Sequence, residues 1–358
     1  MVDSQKAEKG KSKGLLQRLN DGDIFLAAEG YLFQFIQRGY IKSGSMVPEV
    51  VIEHPHLVQN MHEEFVHAGS DVVLAFTYYG HRQKLNVTGH EDEVEKYNRN
   101  SLRIARKVAD ATGTLMAGDL SNTTIFEPNN AEAIEKVKAM FKEQVIWARE
   151  EGADYIVAET IPTYEECALA LEAVKEYGQG LPAVVTLGPT SKSTTLEGMP
   201  FGEACRKLEE KGAAVVGLNC SLGPRMMVPF IKEIRQACKG PIAALPVGYT
   251  TTRQFPTFQT FKDKTTGKYC FPNDLAQFQC SLNEIEYFAQ SCKDIGVQYV
   301  GLCCGNNAEF FRHLVETLGK SAPALRYKTD MSNHFLFGNL PMSSYNEMHR
   351  KAFLNVDV

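Results

Sequence analysis

Eight short apolar runs, separated by longer amphipathic segments, recur between residues 24 and 304. Each run is continuously apolar rather than alternating in polarity, which is typical of strands that are covered on both faces, as in a parallel sheet. Gly152, Gly212 and Gly296 follow three of the amphipathic segments, at positions where glycine closes a helix in the left-handed conformation. The runs occupy 24–28, 71–77, 115–119, 155–159, 183–187, 214–220, 242–246 and 299–304.

This sequential strand–helix repeat predicts one (β/α)8 TIM barrel over residues 14–320. The alternative is an open doubly wound sheet, but no Gly-x-Gly-x-x-Gly follows the first run, which disfavours a dinucleotide-binding version. Residues 249–279, after the seventh run, are expected to form a long functional or mobile loop. Residues 1–13 are expected to be a flexible basic tail. Residues 321–358 are expected to be an irregular tail that docks on the barrel or supports a homo-oligomer.

Composition and charge disfavour several classes of protein. The formal net charge is -5, and the basic cluster at 6–13 is too short to track a phosphate backbone, so no nucleic-acid partner is expected. No apolar run reaches 18 residues and no secretory h-region opens the chain, so neither a membrane span nor export is expected. Nine irregularly spaced cysteines suggest reduced thiols in the cytoplasm.

Polar side chains collect where the predicted strands end. In such barrels the active site forms at the carboxyl ends of the strands, so these side chains are expected to share one mouth. Each also has a purely structural interpretation: Glu159 could cap the next helix, the tyrosines could be packing residues, and Asp119 could belong to a turn. The side chains expected at the mouth are Thr77, Tyr78, Tyr79, Glu159, Cys220, Cys303 and Cys304, whereas Asp119 closes the third run and is equally well a turn residue.

Three of the cysteines have the pattern of a metal site. Cys303 and Cys304 are adjacent, and neighbouring Cα atoms about 3.8 Å apart are closer than the roughly 4.4–6.8 Å that a disulfide requires. Together with Cys220 they supply three thiolates, which suit zinc and leave one coordination position for a substrate. Position alone leaves metal binding and simple burial of small apolar thiols about equally plausible.

Longer motifs around these residues resemble the zinc-dependent homocysteine S-methyltransferase family, most closely its betaine–homocysteine branch. The two cysteine motifs are Gly217-Leu218-Asn219-Cys220 and Gly301-Leu302-Cys303-Cys304-Gly305. Further similar segments are 76–79, Ala158-Glu159, 14–20 and 38–42, and the resemblance extends over about residues 14–318.

The resemblance implies a zinc methyltransferase that moves a methyl group from an onium donor to homocysteine or a related thiol. It implies zinc on Cys220, Cys303 and Cys304, Glu159 at the homocysteine amino group, and Tyr79 beside the metal and the donor. The catalytic set is therefore expected to be the three cysteines and Tyr79. The substrate-binding set is expected to be Glu29, Gly30, Thr77, Tyr78, Glu159 and Asn219.

Four positions depart from the family pattern. Ala28 replaces the aspartate that ends the first strand, and Glu29 is expected to substitute for it one position later. Met46 and Thr160 replace aromatic residues of the betaine branch, so a sulfonium donor is expected to be preferred over betaine unless Tyr249 or Phe255 restores the aromatic cage. The loop residue Ala276 lies where an acidic residue is usual. The alternative function is a diverged, non-catalytic barrel that binds ligands or regulates.

Overall fold

The chain forms eight strands that follow one another in the order expected from the sequence. The computed structural model describes residues 13–339 and 341–354, so most of the expected basic tail lies outside the described residues. The strands are β1 (Phe25–Ala28), β2 (Val72–Leu74), β3 (Leu115–Ser121), β4 (Tyr155–Ile161), β5 (Ala183–Leu187), β6 (Val215–Asn219), β7 (Ile242–Leu245) and β8 (Tyr299–Leu302).

The strands form one parallel sheet in the order β1-β8-β7-β6-β5-β4-β3-β2, which confirms the (β/α)8 barrel. Between β1 and β2 the barrel is joined by single hydrogen bonds rather than by a ladder. The backbone N–H of Asp71 donates to the carbonyl of Leu26 at 2.8 Å. The Asp71 carboxylate accepts from the N–H of Leu26 at 2.9 Å, and the Ser70 hydroxyl accepts from the N–H of Ala28 at 3.2 Å. These contacts nearly close the barrel.

Aromatic side chains fill one layer of the barrel interior. Phe25 stacks on Tyr299 with ring centroids 5.5 Å apart, and the hydroxyl groups of Tyr299 and Tyr155 are 3.1 Å apart. Side chains alternate between the two faces of a strand, so residues four positions further along point to the same side. That alternation brings Glu29, Glu159 and Cys303 to the carboxyl ends of their strands on the inner face.

Helices surround the barrel and cover the outer faces of the strands. The long amphipathic segments all form helices, and one of them begins at Pro224, since proline is well tolerated in a first turn. The α-helices are α1 (Leu15–Asn20), α2 (Tyr31–Gln37), α3 (Val50–Glu53), α4 (Pro55–Ala68), α5 (Arg82–Asn86), α6 (Val94–Thr112), α7 (Ala131–Glu150), α8 (Tyr164–Tyr177), α9 (Phe201–Glu210), α10 (Pro224–Ala237), α11 (Leu282–Ile295), α12 (Ala308–Thr317) and α13 (Ser344–Leu354).

Two segments outside the regular repeat have defined structure. The long loop at 249–279 contains short 3-10 turns at Phe258–Thr260 and Ala276–Phe278, and its aromatic side chains pack at the barrel mouth. The tail was expected to be irregular, but it contains α13, which has no buried residue. Among the described residues, no helix is long and apolar enough to cross a membrane.

Candidate metal centre and active site

The three cysteines identified from the sequence come together at the barrel mouth. The sulfur of Cys304 is 3.4 Å from that of Cys220 and 3.9 Å from that of Cys303, and all three lie within 4.8 Å of one another. Four ligands at about 2.3 Å around a tetrahedral zinc place their sulfurs about 3.8 Å apart. Cys220 and Cys303 are buried and Cys304 is partly exposed, so this thiol cluster is open on one side.

Backbone turns at the strand ends place these thiols. Cys220 and Ser221 adopt positive φ angles of 63° and 57°, a conformation that non-glycine residues rarely take and that is found most often at functional sites. Gly30, with φ at 83°, passes so close to β8 that a Cβ atom there would lie 2.3 Å from the carbonyl oxygen of Cys303. Only glycine fits this turn, so the chain after β1 packs directly against the cysteine pair.

A cavity of about 430 Å³ opens above the thiol cluster. Seven of its lining residues are aromatic, and two of these, Phe258 and Phe271, come from the long loop. Their rings are 5.5 Å apart, and the ring of Phe33 on α2 is 5.4 Å from Phe258. The other aromatic lining residues are Tyr31, Phe76, Tyr78 and Tyr79.

Three buried carboxyl groups lie beside the thiols, on Glu29, Asp119 and Glu159, and we call them the acidic cluster. Their residues are 0%, 3% and 3% exposed. Asp119 and Glu159 line the cavity, and one oxygen each of Glu29 and Asp119 has no hydrogen-bond partner. One ligand oxygen each from Glu29 and Glu159 lies within 4.8 Å of the Cys303 sulfur, so the acidic and thiol clusters adjoin.

The side chain of Asn219 connects the two clusters. Its carbonyl oxygen accepts from the N–H of Thr160 at 2.8 Å and from the hydroxyl of Thr186 at 3.0 Å, which fixes the orientation of the amide. Its amino group therefore faces Glu159, Glu29 at 3.3 Å and the Cys303 sulfur at 3.8 Å. A buried, oriented amide of this kind holds its neighbours in place, because unpaired buried polar groups are costly.

Burial dominates the electrostatics of the site. It raises the pKa of Glu29 well above the ordinary value, and the charges of Glu159 and Asp119 add to the shift. Burial and then the charge of Glu159 raise the pKa of Asp119 well above its usual range. Burial and the neighbouring Cys220 raise the pKa of Glu159 to about 7. No Lys, Arg or His belongs to the cavity lining within the described ranges.

Most of the residues selected from the sequence meet at this cavity. Gly30, Tyr78, Tyr79, Glu159 and the three cysteines line it, and Glu29 and Asn219 contact Glu159 from beneath. Thr77 has a different position. Its hydroxyl donates to the carbonyl of Asp119 at 2.7 Å and accepts from the same residue's N–H at 3.2 Å, so it joins the segment after β2 to β3 and is not part of the lining.

The lining residues that the sequence-based site left out include Asp119, Phe33, Phe258 and Phe271. Asp119 ended a predicted strand, so the strand-end rule drew attention to it, but a turn was equally plausible. Phe33, Phe258 and Phe271 carried no signal, because their approach depends on how α2 and the long loop fold. Of the two aromatics expected to restore a cage, Tyr249 stacks behind Phe258 at 5.6 Å, and neither it nor Phe255 lines the cavity.

A barrel with a thiol cluster, an acidic cluster and an aromatic cavity at its carboxyl end defines a class of group-transfer barrels. The family model for "Homocysteine S-methyltransferase" matches residues 28–318. The chain therefore belongs to the homocysteine S-methyltransferase family, and the predicted membership is confirmed, as is its assignment to the methyltransferase enzymes.

Curated relatives agree with this membership. Betaine–homocysteine S-methyltransferase 1 of Mus musculus is 31% identical over 328 residues, which cover 87% of this chain and 76% of that protein. The protein of the same name from Xenopus laevis is 32% identical over 320 residues, with 86% and 76% covered.

Among solved structures, the metallated form of the homocysteine methyltransferase MmuM from Escherichia coli has a similar fold. The TM-score is 0.66 at 17% identity, and the match covers 84% of this chain and 98% of the other. At this identity the likeness supports the barrel architecture alone.

Proposed function

We propose that this enzyme transfers a methyl group from an onium donor to the sulfur of homocysteine or a related thiol, with zinc held by Cys220, Cys303 and Cys304. The observation that carries the proposal is the convergence of three thiols within 4.8 Å at the base of an aromatic cavity. Family membership gives the reaction class, and the chemistry of the side chains around the cavity supports a location for each substrate.

The thiol cluster suits zinc by the chemistry of its ligands. Zinc binds thiolates readily, and a catalytic zinc usually has three protein ligands and one open position. When bound, zinc would lower the pKa of the acceptor thiol so that the nucleophilic thiolate is present at neutral pH. Hydrogen bonds from Cys303 and Cys304 lower the pKa of the Cys220 thiol, which favours a negative charge at this point of the structure.

The acidic cluster provides the place for the amino group of the acceptor. Glu159 accepts a hydrogen bond from the Thr160 hydroxyl at 3.0 Å and another from Asn219, so the carboxylate is held in one orientation. A buried carboxylate with few donors around it binds an ammonium through charge-assisted hydrogen bonds. Glu29, in contact with the same Asn219 amide, takes over the role expected of the aspartate that Ala28 replaces.

The aromatic walls provide the place for the donor. A methylated cation is attracted to the faces of aromatic rings within about 6 Å, with an energy of about 0.5–2 kcal/mol for each contact. Tyr78 and Tyr79 lie with ring centroids 4.4 Å apart, and Phe33, Phe258 and Phe271 face the same cavity. The aromatic surface lost at Met46 and Thr160 is therefore partly replaced from α2 and the long loop.

In the reaction, the acceptor sulfur forms a bond to the methyl carbon while the bond from that carbon to the onium atom breaks. The electron pair of the broken bond leaves with the neutralised donor, and the thiol proton is released to solvent when the acceptor binds. The protein contributes by holding both substrates in line and excluding water, which can lower the barrier by about 7–11 kcal/mol in well-oriented systems.

The direct test is to load the full chain with zinc and offer homocysteine together with betaine, a dimethylsulfonium acid or S-methylmethionine. Formation of methionine, measured by mass spectrometry, is the expected result with at least one donor. Zinc-loaded protein that binds homocysteine but transfers no methyl group from any of the three would favour the non-catalytic alternative.

Two further features support expectations from the sequence. All nine cysteines are unpaired, which supports a reducing compartment such as the cytoplasm. In the described part of the tail, at 321–339 and 341–354, large apolar side chains are exposed, including Phe335, Tyr345 and Phe353, and this supports association with a second copy. Light scattering on the full chain and on a Tyr345→Asp, Phe353→Asp variant tests the association, which the two charges are expected to weaken.

A further inference from the structure

Asp119 lies in the interior of β3 with its side chain on the cavity side. In the register of β3 and β4, Asp119 pairs with Val157 and Ser121 pairs with Glu159, so the side chains of Asp119 and Glu159 emerge on the same face of the sheet. Both hydrogen bonds of Thr77 go to main-chain atoms of Asp119, not to its carboxylate. The carboxylate is therefore directed into the cavity without a structural role in joining strands.

The acidic cluster has more acceptors than donors. Oε1 of Glu29 and Oδ1 of Asp119 are buried and have no partner, whereas Asn219 and Thr160 supply the donors seen for Glu159. A buried carboxyl oxygen without a hydrogen-bond partner keeps an uncompensated desolvation cost. Within the described residues, no basic side chain lines the cavity to relieve this cost. A ligand that carries N–H donors would pair these oxygens.

A primary ammonium matches this requirement. It carries three N–H donors and one positive charge, so it can give one hydrogen bond to each of three carboxylates. A divalent metal is the competing occupant, since Glu29, Glu159 and Cys303 also have metal-binding spacing. Cys303 already belongs to the thiol cluster, however, so this second group has only two ligands of its own, Glu29 and Glu159.

We propose that Asp119 completes a three-carboxylate ammonium site with Glu29 and Glu159, and that the enzyme selects its acceptor by the ammonium and not by the carboxylate. The proposal rests on the proposed function, because it assigns the acceptor of the same site. Aminothiols that lack a carboxylate, such as 3-aminopropane-1-thiol, are then acceptors as well as homocysteine. The same bonds form and break as with homocysteine, and the product is an aminoalkyl methyl thioether.

The reason is the imbalance of charge around the cavity. The ammonium of an acceptor meets Glu29, Asp119 and Glu159, but its carboxylate meets no cationic side chain of the lining. Lys84 places its ammonium 4.3 Å from the centroid of the lining ring of Tyr79, and it is not itself part of the lining. Removing the ammonium from the ligand is therefore expected to cost more binding than removing the carboxylate, which can pair only with neutral groups of the lining.

Titration calorimetry on the zinc-loaded full chain tests the proposal with three ligands: homocysteine, 3-aminopropane-1-thiol and 4-sulfanylbutanoate. The wild-type protein is expected to bind the aminothiol within about tenfold of homocysteine and the deaminated acid about a hundredfold more weakly. If 3-aminopropane-1-thiol binds more than about a hundredfold more weakly than homocysteine, the carboxylate is a main recognition element and the proposal is overturned.

Asp119→Asn removes the charge of the third carboxylate and so tests its contribution. Glu29→Gln is a second variant in case the first does not fold. Each is expected to weaken both aminothiols about ten- to a hundredfold and to leave 4-sulfanylbutanoate unchanged. Asp110→Asn, on the exposed face of α6, is the matched control and should alter none of the three. Equal weakening of all three ligands would mean a structural role. If the wild-type protein instead binds two zinc ions per chain and Glu29→Gln binds only one, the acidic cluster is a metal site and the ammonium site is wrong.

The failure of this proposal is distinguishable from failure of the proposed function. If homocysteine is methylated but Asp119→Asn shows no selectivity between ligands, the ammonium site is wrong and the methyltransferase stands. If the ligand series behaves as expected but no onium donor supports methyl transfer, the ammonium site stands and the proposed function is wrong.

Discussion

The sulfur atoms of Cys220 and Cys304 are 3.4 Å apart although 84 positions separate the two residues in the chain. They come from the ends of β6 and β8, two strands apart in the barrel. A thiol pair at this distance, with Cys303 beside it, provides a soft three-ligand site.

Metal content should follow these thiols. The purified protein is expected to carry about one zinc per chain. Each of the single substitutions Cys220→Ser, Cys303→Ser and Cys304→Ser should reduce the zinc content to a small fraction, because three ligands are needed for tight binding. Cys238→Ser, at the end of α10, is the matched control and should keep its zinc. The measurement is elemental analysis by mass spectrometry, and zinc that survives all three site variants would place the metal elsewhere.

Glu159→Gln should weaken homocysteine binding about ten- to a hundredfold, the usual effect of losing a charge-assisted hydrogen bond in a closed site. Binding of a simple alkanethiol, which has no ammonium, should change little. Glu132→Gln, on the exposed side of α7, serves as the control. Calorimetry with both ligands decides between roles, since equal losses would show that Glu159 only supports the structure.

Methyl transfer from a dimethylsulfonium acid should be faster than from betaine at equal homocysteine, because a sulfonium is the better leaving group and Met46 and Thr160 remove aromatic surface. Met46→Trp should shift the ratio of rates toward betaine, since Met46 lines the cavity, whereas Met46→Leu should not. Initial rates for the two donors provide the measurement. Faster transfer from betaine in the wild-type protein would contradict this expectation.

Acid should destabilise the protein partly through His62, whose two ring nitrogens are buried without partners. Burial lowers its pKa to about 3, so between pH 6.5 and 3 the unfolded chain binds a proton that the folded chain excludes. Stability from this residue is therefore full above about pH 6.5 and falls by up to about 1.4 kcal/mol per pH unit below it.

His62→Leu should reduce the pH dependence of the unfolding free energy by about 1.4 kcal/mol per pH unit, which is the contribution of one bound proton. Urea unfolding at several pH values between 4 and 7 measures the slope. The variant should retain part of the pH dependence through His81, because burial lowers the pKa of that imidazole to about 4. An unchanged slope in His62→Leu would show that His62 is solvated or paired in solution.

The turn at Gly30 should be sensitive to a single methyl group. Gly30→Ala combines a strained positive φ of 83° with a clash against the carbonyl of Cys303, so we expect both a lower melting temperature and weaker zinc retention. Gly22→Ala has a similar φ of 80° with open space around it and should cost about 1–3 kcal/mol of backbone strain alone, without loss of zinc. Equal effects of the two changes would mean that the contact with Cys303 is not tight.

The sequence alone determined the barrel and the identity of the thiols. Continuous apolar runs can be strands only if both faces are covered, and eight of them with intervening helices leave few alternatives to a closed parallel barrel. Because the carboxyl ends of parallel strands lie on one side of a barrel, the positions of Cys220 and Cys303 in the chain are enough to predict that they share one mouth.

Only the tertiary structure decided how the remaining side chains serve the site. Thr77 and Asp119 both follow the strand-end rule, yet one joins two strands and the other faces the cavity. The walls formed by Phe258 and Phe271 depend on the path of a long loop, and the orientation of Asn219 depends on Thr160 and Thr186 from other strands. These relationships join residues far apart in the chain, so no local pattern records them, and packing of the whole barrel fixes them.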